Sequence, residues 1–168
     1  MKTETETFVI ISPSESILRD VCFLKQSVSE VLGYSYEGEH SKAHISLLKY
    51  KDPHNDNGLY QINTRLSRCK PFTLYVKDFD VLQHGDYRTI CLNVINKTSV
   101  CELAETLIGR NITPHITIAK NLSVPAFDKV WRAINRITYS NYFRCDHLTV
   151  LKRNTGPWRH YMDMPFYN

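Results

Sequence analysis

The sequence predicts an α+β fold made of two pseudo-symmetric lobes. The prediction rests on an order of strand, helix, strand, helix and strand that occurs twice along the chain. It also rests on two similar hexapeptides, HISLLK and HITIAK, which take the same place in the two halves. The interval from His44 to Phe72 equals the interval from His115 to Phe143, and this match indicates an internal duplication.

The first half begins with a short apolar run, Phe8–Ile11, which predicts a buried strand. A helix follows, with Ser12 as the expected N-cap, Pro13 in the first turn and Glu15 completing a capping box. Apolar residues at helical spacing continue to Gly33, which is placed to cap the carboxyl end. The rest of this half is predicted as a strand over His44–Tyr50, a helix over about Leu59–Cys69 and a strand over Phe72–Val76.

The second half repeats this order. Alternating residues over Tyr87–Ile95 predict a strand, and Thr98 and Ser99 open a helix that Gly109 closes. The remaining elements are predicted as a strand over His115–Lys120, a helix that begins at Pro125, a strand over Phe143–Leu151, a turn over Asn154–Pro157 and a last strand over about Arg159–Met164.

The length of 168 residues suits a single domain, 1–168, with one lobe over about 8–80 and the other over about 86–164. Apolar residues make up 42% and charged residues 23%, which excludes a disordered or collagen-like protein. The net charge of +4 is a mild basic excess that suits an anionic ligand. The start has no secretory signal, no apolar run could span a membrane, and the five cysteines form no C-x-x-C pair. We therefore expect a cytoplasmic protein with reduced thiols and no membrane partner, while its oligomeric state, a monomer included, stays open.

Both hexapeptides follow the pattern His, apolar, Ser or Thr, apolar, any residue, Lys. Because side chains on a strand alternate between faces, His44 and Ser46 are expected on one face about 7 Å apart, and His115 and Thr117 likewise. Two such units facing each other supply two proton-transfer groups and two hydroxyl donors. A phosphodiester displacement uses that set: one imidazole takes a proton from the attacking oxygen, the other protonates the leaving oxygen, and the hydroxyls bind the non-bridging oxygens.

A third segment, His147–Lys152, fits the same pattern. It is placed on the strand after the last helix, whereas His44 and His115 both open a strand between two helices. We therefore pair His44 with His115 and assign His147 to the lining of the cleft or to a structural role.

The two units resemble the motifs of the two-histidine (2H) phosphoesterase superfamily, specifically its 2′-5′ RNA ligase-like and cyclic phosphodiesterase (LigT-like) proteins. PHITIAK, at 114–120, looks like the second motif of that family, P-H-[VI]-T-[LI]-[AG]-R, with Lys120 in place of the commoner Arg. HISL, at 44–47, looks like the first motif, H-[LIV]-T-[LF], with Ser46 in place of Thr.

The resemblance covers nearly the whole chain, from Phe8 to about Met164. It implies two lobes of antiparallel sheet with flanking helices around a central cleft, which the two motifs line. It also implies hydrolysis of 2′,3′-cyclic phosphates, or joining and cleavage of 2′-5′ linkages, without a metal.

Five further residues are candidates for substrate binding. In a regular strand Lys49 and Lys120 would lie on the face opposite their histidines, and a bulge would turn them into the cleft. His147 is a third candidate. Trp158 and Tyr161 could stack on a base, although aromatic residues on a closing strand more often serve packing.

The sequence therefore predicts a metal-independent phosphoesterase, without a cofactor, whose partner is an RNA end or a cyclic nucleotide. Two other functions stay open: a non-catalytic RNA- or nucleotide-binding module that uses the same cleft, and a metal-dependent hydrolase. A zinc-binding helix around Glu39 and His40 is disfavoured, because Gly38 and the strand-like run after Ala43 argue against a helix there. The sequence does not assign the base and acid roles to the two histidines.

Overall fold

The computed structural model of the chain describes residues 5–52 and 56–167. It shows the predicted alternation of strands and helices. The helices of the described residues are α1 (Glu15–Leu32), α2 (Asn57–Leu66), α3 (Lys97–Ile108) and α4 (Val124–Ile134). None of these helices is long and apolar enough to cross a membrane. The strands are β1 (Thr5–Ile11), β2 (Ile45–Asp52), β3 (Phe72–His84), β4 (Tyr87–Val94), β5 (His115–Ser123), β6 (Ser140–Cys145), β7 (His147–Arg153) and β8 (Arg159–Pro165).

The strands form two antiparallel sheets of four strands each. Sheet A has the order β2-β1-β7-β8, and sheet B has the order β5-β4-β3-β6. The predicted α+β fold with two lobes of antiparallel sheet is confirmed. The sheets divide the chain differently from the predicted lobes over 8–80 and 86–164, because β3 pairs with β4 and β6 in sheet B, while β7 and β8 join β1 in sheet A.

Helix α1 begins later than the sequence predicts. Its N-cap is Ser14, with extended backbone and no capping hydrogen bond from its side chain, so the capping box predicted from Ser12 is wrong. The carboxyl cap at Gly33 is as predicted: its φ is 78°, and its N–H donates to the carbonyl of Ser29 at 2.8 Å. Gly109 closes α3 in the same left-handed conformation, which glycine adopts without strain.

Helix α2 also differs from its predicted bounds of about Leu59–Cys69. It runs from Asn57 to Leu66, and Asp56 precedes it with a φ of 64°. The turn-rich sequence KDPHNDNG, at 51–58, predicts a turn between β2 and α2, and its residues 53–55 lie outside the described residues.

The strand predicted over Phe143–Leu151 is two strands. The break falls at Asp146, whose carbonyl accepts a hydrogen bond from the N–H of Phe166 at 2.8 Å. Strand β6, before the break, belongs to sheet B, and β7, after it, belongs to sheet A. Both strands contribute to the same core, Phe143 and Cys145 from β6 and Leu148 and Val150 from β7, so the alternation of core residues shifts by one position at the break.

One apolar core lies between the sheets and the helices. Ile45 in β2 and Ile116 in β5 are 1% and 0% exposed, so the residues that alternate with the motif histidines and hydroxyls anchor both motifs in this core. Burying side chains of this size stabilises the fold by roughly 1.5–3 kcal/mol each. The core side of each motif strand is therefore fixed by packing, and the opposite side carries the histidine and the hydroxyl.

The five cysteines are all free. Cys69, Cys91 and Cys145 are buried, whereas Cys22 is exposed. Burial raises the pKa of the Cys91 and Cys145 thiols to about 12, so both stay protonated and serve as small apolar side chains.

Candidate active site

The two histidine motifs lie on adjoining edge strands of the two sheets. Strand β2 is an edge of sheet A, strand β5 is an edge of sheet B, and the two strands contact each other. His44 directly precedes β2, and His115 is the first residue of β5. The structure thus brings the two histidines of the predicted pair into one place.

The two imidazoles are held by matching hydrogen bonds. Nδ1 of His44 lies 2.8 Å from the carbonyl oxygen of Lys42, and Nδ1 of His115 lies 2.7 Å from the carbonyl oxygen of Thr113. Because a carbonyl oxygen only accepts, each Nδ1 must carry the hydrogen and donate it. Nε2 is then the ring nitrogen of each histidine that remains for proton transfer.

A bulge in β2 places the hydroxyl and the lysine of the first motif on one face. Ser46 pairs with Ile10 and Lys49 pairs with Phe8, so Leu47 is the extra residue of the bulge. Since Ile10 and Phe8 are two residues apart on β1, Ser46 and Lys49 lie on the same face of sheet A. We call this the histidine face of sheet A.

A matching bulge occurs in β5. Ile118 is the extra residue, because Thr117 and Ala119 pair with adjacent residues of β4 and therefore point to opposite faces. The next side chain, Lys120, returns to the face of Thr117 and His115, the histidine face of sheet B. Each bulge follows the hydroxyl residue by one position, so each motif presents imidazole, hydroxyl and ammonium on one side.

Both lysines contact carboxylates. Lys120 Nζ lies 2.7 Å from Oε1 of Glu37, and Lys49 Nζ lies 4.0 Å from Oε1 of Glu6. The side chains of Lys120 and Lys49 are 45% and 47% exposed. These ion pairs therefore orient the ammonium groups but contribute little to the stability of the fold.

An aromatic row extends the site along sheet A. The rings of Phe8 and His44 meet edge to face at 5.2 Å, and the ring of Trp158 lies 5.4 Å from that of Phe8. The indole of Trp158 also lies 4.4 Å from the guanidinium carbon of Arg153 and 5.2 Å from Lys49 Nζ. Trp158 therefore contacts two cations and the phenyl ring that packs against His44.

Tyr161 lies on the other face of sheet A. Its ring is 3.8 Å from Lys152 Nζ, and its hydroxyl donates to Asp56 at 2.9 Å. Lys152 pairs with Thr7, which is fully buried on the core side of β1. The structure therefore does not bring Tyr161 together with the two histidines.

His147 lies on the histidine face of sheet A, two strands from His44. Thr149 pairs with Ile10, which pairs in turn with Ser46, and His147 shares the face of Thr149. Its environment differs from that of the other two histidines, because its Nδ1 lies 2.7 Å from a carboxylate oxygen of Asp146. His147 and Asp146 line an open pocket of about 540 Å³.

A buried cation supports the segment that leads into His44. The side chain of Lys25 in α1 is buried, and its ammonium donates to the carbonyls of Gly38 (2.7 Å) and Ser41 (2.9 Å) and to the hydroxyl of Ser41 (2.8 Å). Burial lowers the pKa of Lys25 to about 8, so the ammonium is mostly charged at neutral pH. The hydroxyl of Tyr36 donates to the carbonyls of both Lys25 and Ile118, at 3.2 Å each.

The same segment, residues 34–43, reaches across to β5. Glu37 accepts from Lys120, and its other oxygen accepts from the side-chain amide of Asn121 at 3.3 Å. The segment therefore ties the strand of the second motif to the loop that positions His44.

The electrostatics of the site favour a neutral His44. Burial lowers the pKa of His44, and the charges of Lys25, His115 and Lys120 lower it further, while the hydrogen bond to the Lys42 carbonyl acts in the opposite direction. Within residues 5–52 and 56–167, no three His, Cys, Asp or Glu side chains are grouped to hold a metal ion.

Sequence reasoning missed Lys25, Phe8 and Arg153. The sequence pattern could have indicated Lys25, because it stands with Val21 and Val28 on the apolar face of α1. A charged residue at such a position needs a buried partner. The other two could not be found from spacing, since their positions depend on pairing between β1 and β7.

The chain matches the family model of the 2′-5′ RNA ligase superfamily over residues 24–157, well over half of its length. It belongs to this superfamily, and the resemblance to two-histidine phosphoesterases is confirmed. No curated protein matches the chain.

Solved structures share the fold over almost the whole chain. LigT of E. coli in apo form has 14% identity and a TM-score of 0.68, covering 98% of this chain and 99% of that one. TT0787 of Thermus thermophilus has 14% identity and a TM-score of 0.66, covering 96% and 97%. Usb1 of Kluyveromyces marxianus has 10% identity and a TM-score of 0.53, covering 97% and 99%. LigT has also been solved with 3′-AMP and with phosphate, and Usb1 with uridine monophosphate.

The cations around His44 lead to a prediction. Replacing Lys25 or Lys120 by Met should raise the pKa of His44, because each change removes a positive charge that disfavours the imidazolium. An NMR titration of the His44 ring measures this directly and needs no catalytic activity. Lys70→Met, at an exposed position outside the site, is the control and should leave the titration unchanged. An unchanged or lower pKa in Lys120→Met would show that this electrostatic account is wrong.

Proposed function

We propose that this protein is a metal-independent phosphoesterase that acts on RNA ends or nucleotide 2′,3′-cyclic phosphates by two-histidine acid–base catalysis. The observation that carries the proposal is the matched setting of His44 and His115. Each imidazole donates its Nδ1 hydrogen to the carbonyl two residues earlier, and each is followed by a hydroxyl and, after a bulge, a lysine. A structural histidine needs none of this duplication.

The lowered pKa of His44 favours this residue as the general base. A neutral Nε2 of His44 would accept a proton from the attacking water while the other imidazole protonates the oxygen that leaves phosphorus. In the ligation direction a ribose hydroxyl would take the place of water, and the same two groups would act. His44 and His115 are thus proposed as the catalytic pair.

The hydroxyls and lysines would hold the phosphoryl group. Ser46 and Thr117 lie next to their histidines and would donate to the non-bridging oxygens, on which negative charge concentrates in the transition state. Lys49 and Lys120 would add positive charge from the same side, as point charges and not as bidentate partners. LigT has been solved with phosphate and with 3′-AMP, and Usb1 with uridine monophosphate. These phosphate-bearing ligands support the proposal of a phosphoryl-binding site in this chain.

Trp158 and His147 have supporting roles in this proposal. The Trp158 ring packs against Phe8, and Phe8 packs against the His44 ring. Trp158 would also hold Lys49 and Arg153 near the site through cation–π contacts. His147 would contact the part of the substrate beyond the reacting phosphate. Tyr161, on the other face of sheet A, takes no part.

Substitution of the catalytic pair is the first test. His44→Ala and His115→Ala should each lower turnover of a 2′,3′-cyclic nucleotide by about 10²- to 10⁴-fold, because each removes a proton-transfer group. His147→Ala should keep most of the activity and is the matched control. If His147→Ala is inactive while His44→Ala is active, the pairing is wrong. Wild-type protein that binds nucleotide without turnover would instead support a non-catalytic binding module.

The pH profile is the second test. The rate should trace a bell, whose rising limb reports deprotonation of His44 and lies below the ordinary imidazole value of 6.5 because the pKa of His44 is lowered. Loss of the proton from the acid gives the falling limb. His44→Gln should remove the rising limb from the residual activity. A flat profile between about pH 5 and 9, with chemistry rate-limiting, contradicts the mechanism.

Metal removal is the third test. Turnover of the cyclic phosphate should persist in excess EDTA, because the imidazoles, hydroxyls and lysines would supply the proton transfer and the charge. Activity that is lost in EDTA and restored by zinc or manganese would favour a metal-dependent hydrolase instead.

A further inference from the structure

Two exposed tyrosines lie on the face of sheet B that carries His115. His115 pairs with Asn93, and the next residue of β4, Val94, pairs with Val76 of β3. Val94 and Val76 are buried at 0% and 1% exposure, so they point into the core and His115 points away from it. Since neighbours on a strand alternate, Tyr75 lies on the histidine face of sheet B.

Tyr75 and its cross-strand partner form an exposed aromatic pair. Tyr142 of β6 pairs directly with Tyr75, and the ring centroids are 6.1 Å apart with their planes inclined by 39°. Tyr75 is 51% exposed and Tyr142 is 66% exposed. Ile95, which donates its N–H to the carbonyl of Tyr75, is 53% exposed and enlarges the patch. Single exposed apolar residues are ordinary, but a contiguous group is typical of a binding surface.

Cations flank this pair on the same face. Lys77 follows Tyr75 by two residues on β3, and Arg144 follows Tyr142 by two residues on β6, so all four side chains share one face. Lys77 forms no ion pair with any residue of 5–52 or 56–167. Arg144 is 64% exposed, and its Nε lies 4.0 Å from a carboxylate oxygen of Asp146. Aromatic rings that can stack on bases, with cations beside them for the phosphates, are typical of surfaces that bind single-stranded nucleic acid.

The distance to the catalytic pair suits a neighbouring nucleotide. Strand β4 alone separates β3 from β5, so Tyr75 lies about 10 Å from His115 across the sheet and a further roughly 7 Å along it. A phosphate at the histidines and a base on the tyrosines would therefore belong to different nucleotides of one chain.

We propose that Tyr75 and Tyr142 form a stacking site for bases of a single-stranded RNA whose terminal phosphate lies at His44 and His115. This inference rests on the proposed function and narrows its substrate class to RNA chains, as opposed to free cyclic mononucleotides. The tyrosine rings stack on bases next to the reacting end, and Lys77 neutralises the phosphate between them.

The test measures binding and turnover separately. Fluorescence anisotropy gives the affinity for a short oligoribonucleotide ending in a 3′-phosphate, which has no cyclic bond to open. Tyr75→Ala and Tyr142→Ala should each weaken this affinity by about 5- to 150-fold, the effect of losing one base–ring stack. Tyr75→Phe should bind as wild type because it keeps the ring. Tyr60→Ala, which removes a 73% exposed tyrosine from α2, is the matched control and should change nothing.

Turnover of a 2′,3′-cyclic mononucleotide should be unchanged in both alanine variants, because a mononucleotide does not reach the tyrosines. The proposal is overturned if the alanine variants bind the oligoribonucleotide as wild type does, if wild type does not bind it, or if mononucleotide turnover falls in parallel. Oligoribonucleotide binding that depends on the tyrosines, in a protein that opens no cyclic phosphate, would uphold the stacking site and refute the proposed function.

Discussion

The contact between the edge strands β2 and β5 is the constraint on which the candidate site depends. These strands belong to different sheets and share no ladder of hydrogen bonds, so their position relative to each other is set by packing. Ile45 and Ile116 bury the core side of both strands, and the opposite side is left to carry His44 and His115. A site of this kind exists only where the two sheets meet.

The connecting segment of residues 34–43 reinforces that contact from the side. Its carbonyl groups surround the Lys25 ammonium, and Glu37 holds Lys120 and Asn121 on β5. A buried ammonium without a carboxylate partner costs free energy, which the hydrogen bonds to carbonyl groups offset in part. The same charge also disfavours protonation of His44, so Lys25 both supports the loop and contributes to the electrostatics of the site.

Much of the fold and part of the site could be predicted from the sequence. The alternation of strands and helices and the glycine caps at Gly33 and Gly109 could be predicted, because each depends on residues that are close together in the sequence. The strand break at Asp146 is not evident from local composition, because strand-forming residues stand on both sides of it and only the pairing of β6 and β7 with different sheets reveals it. The sequence does not decide the face of Lys49 and Lys120 for a similar reason, since a bulge is a property of two paired strands.

The sequence by itself determined which residue types repeat and on which strands they stand, because alternation of side chains and duplication of a motif need no knowledge of the rest of the chain. The tertiary structure alone decided that His44 and His115 stand on adjoining strands, that both lysines turn to their side, and that Trp158 and Tyr161 lie on opposite faces of sheet A. The physical reason is that these outcomes depend on the packing of two sheets and on the register of paired strands. Neither is encoded in any short segment of the chain.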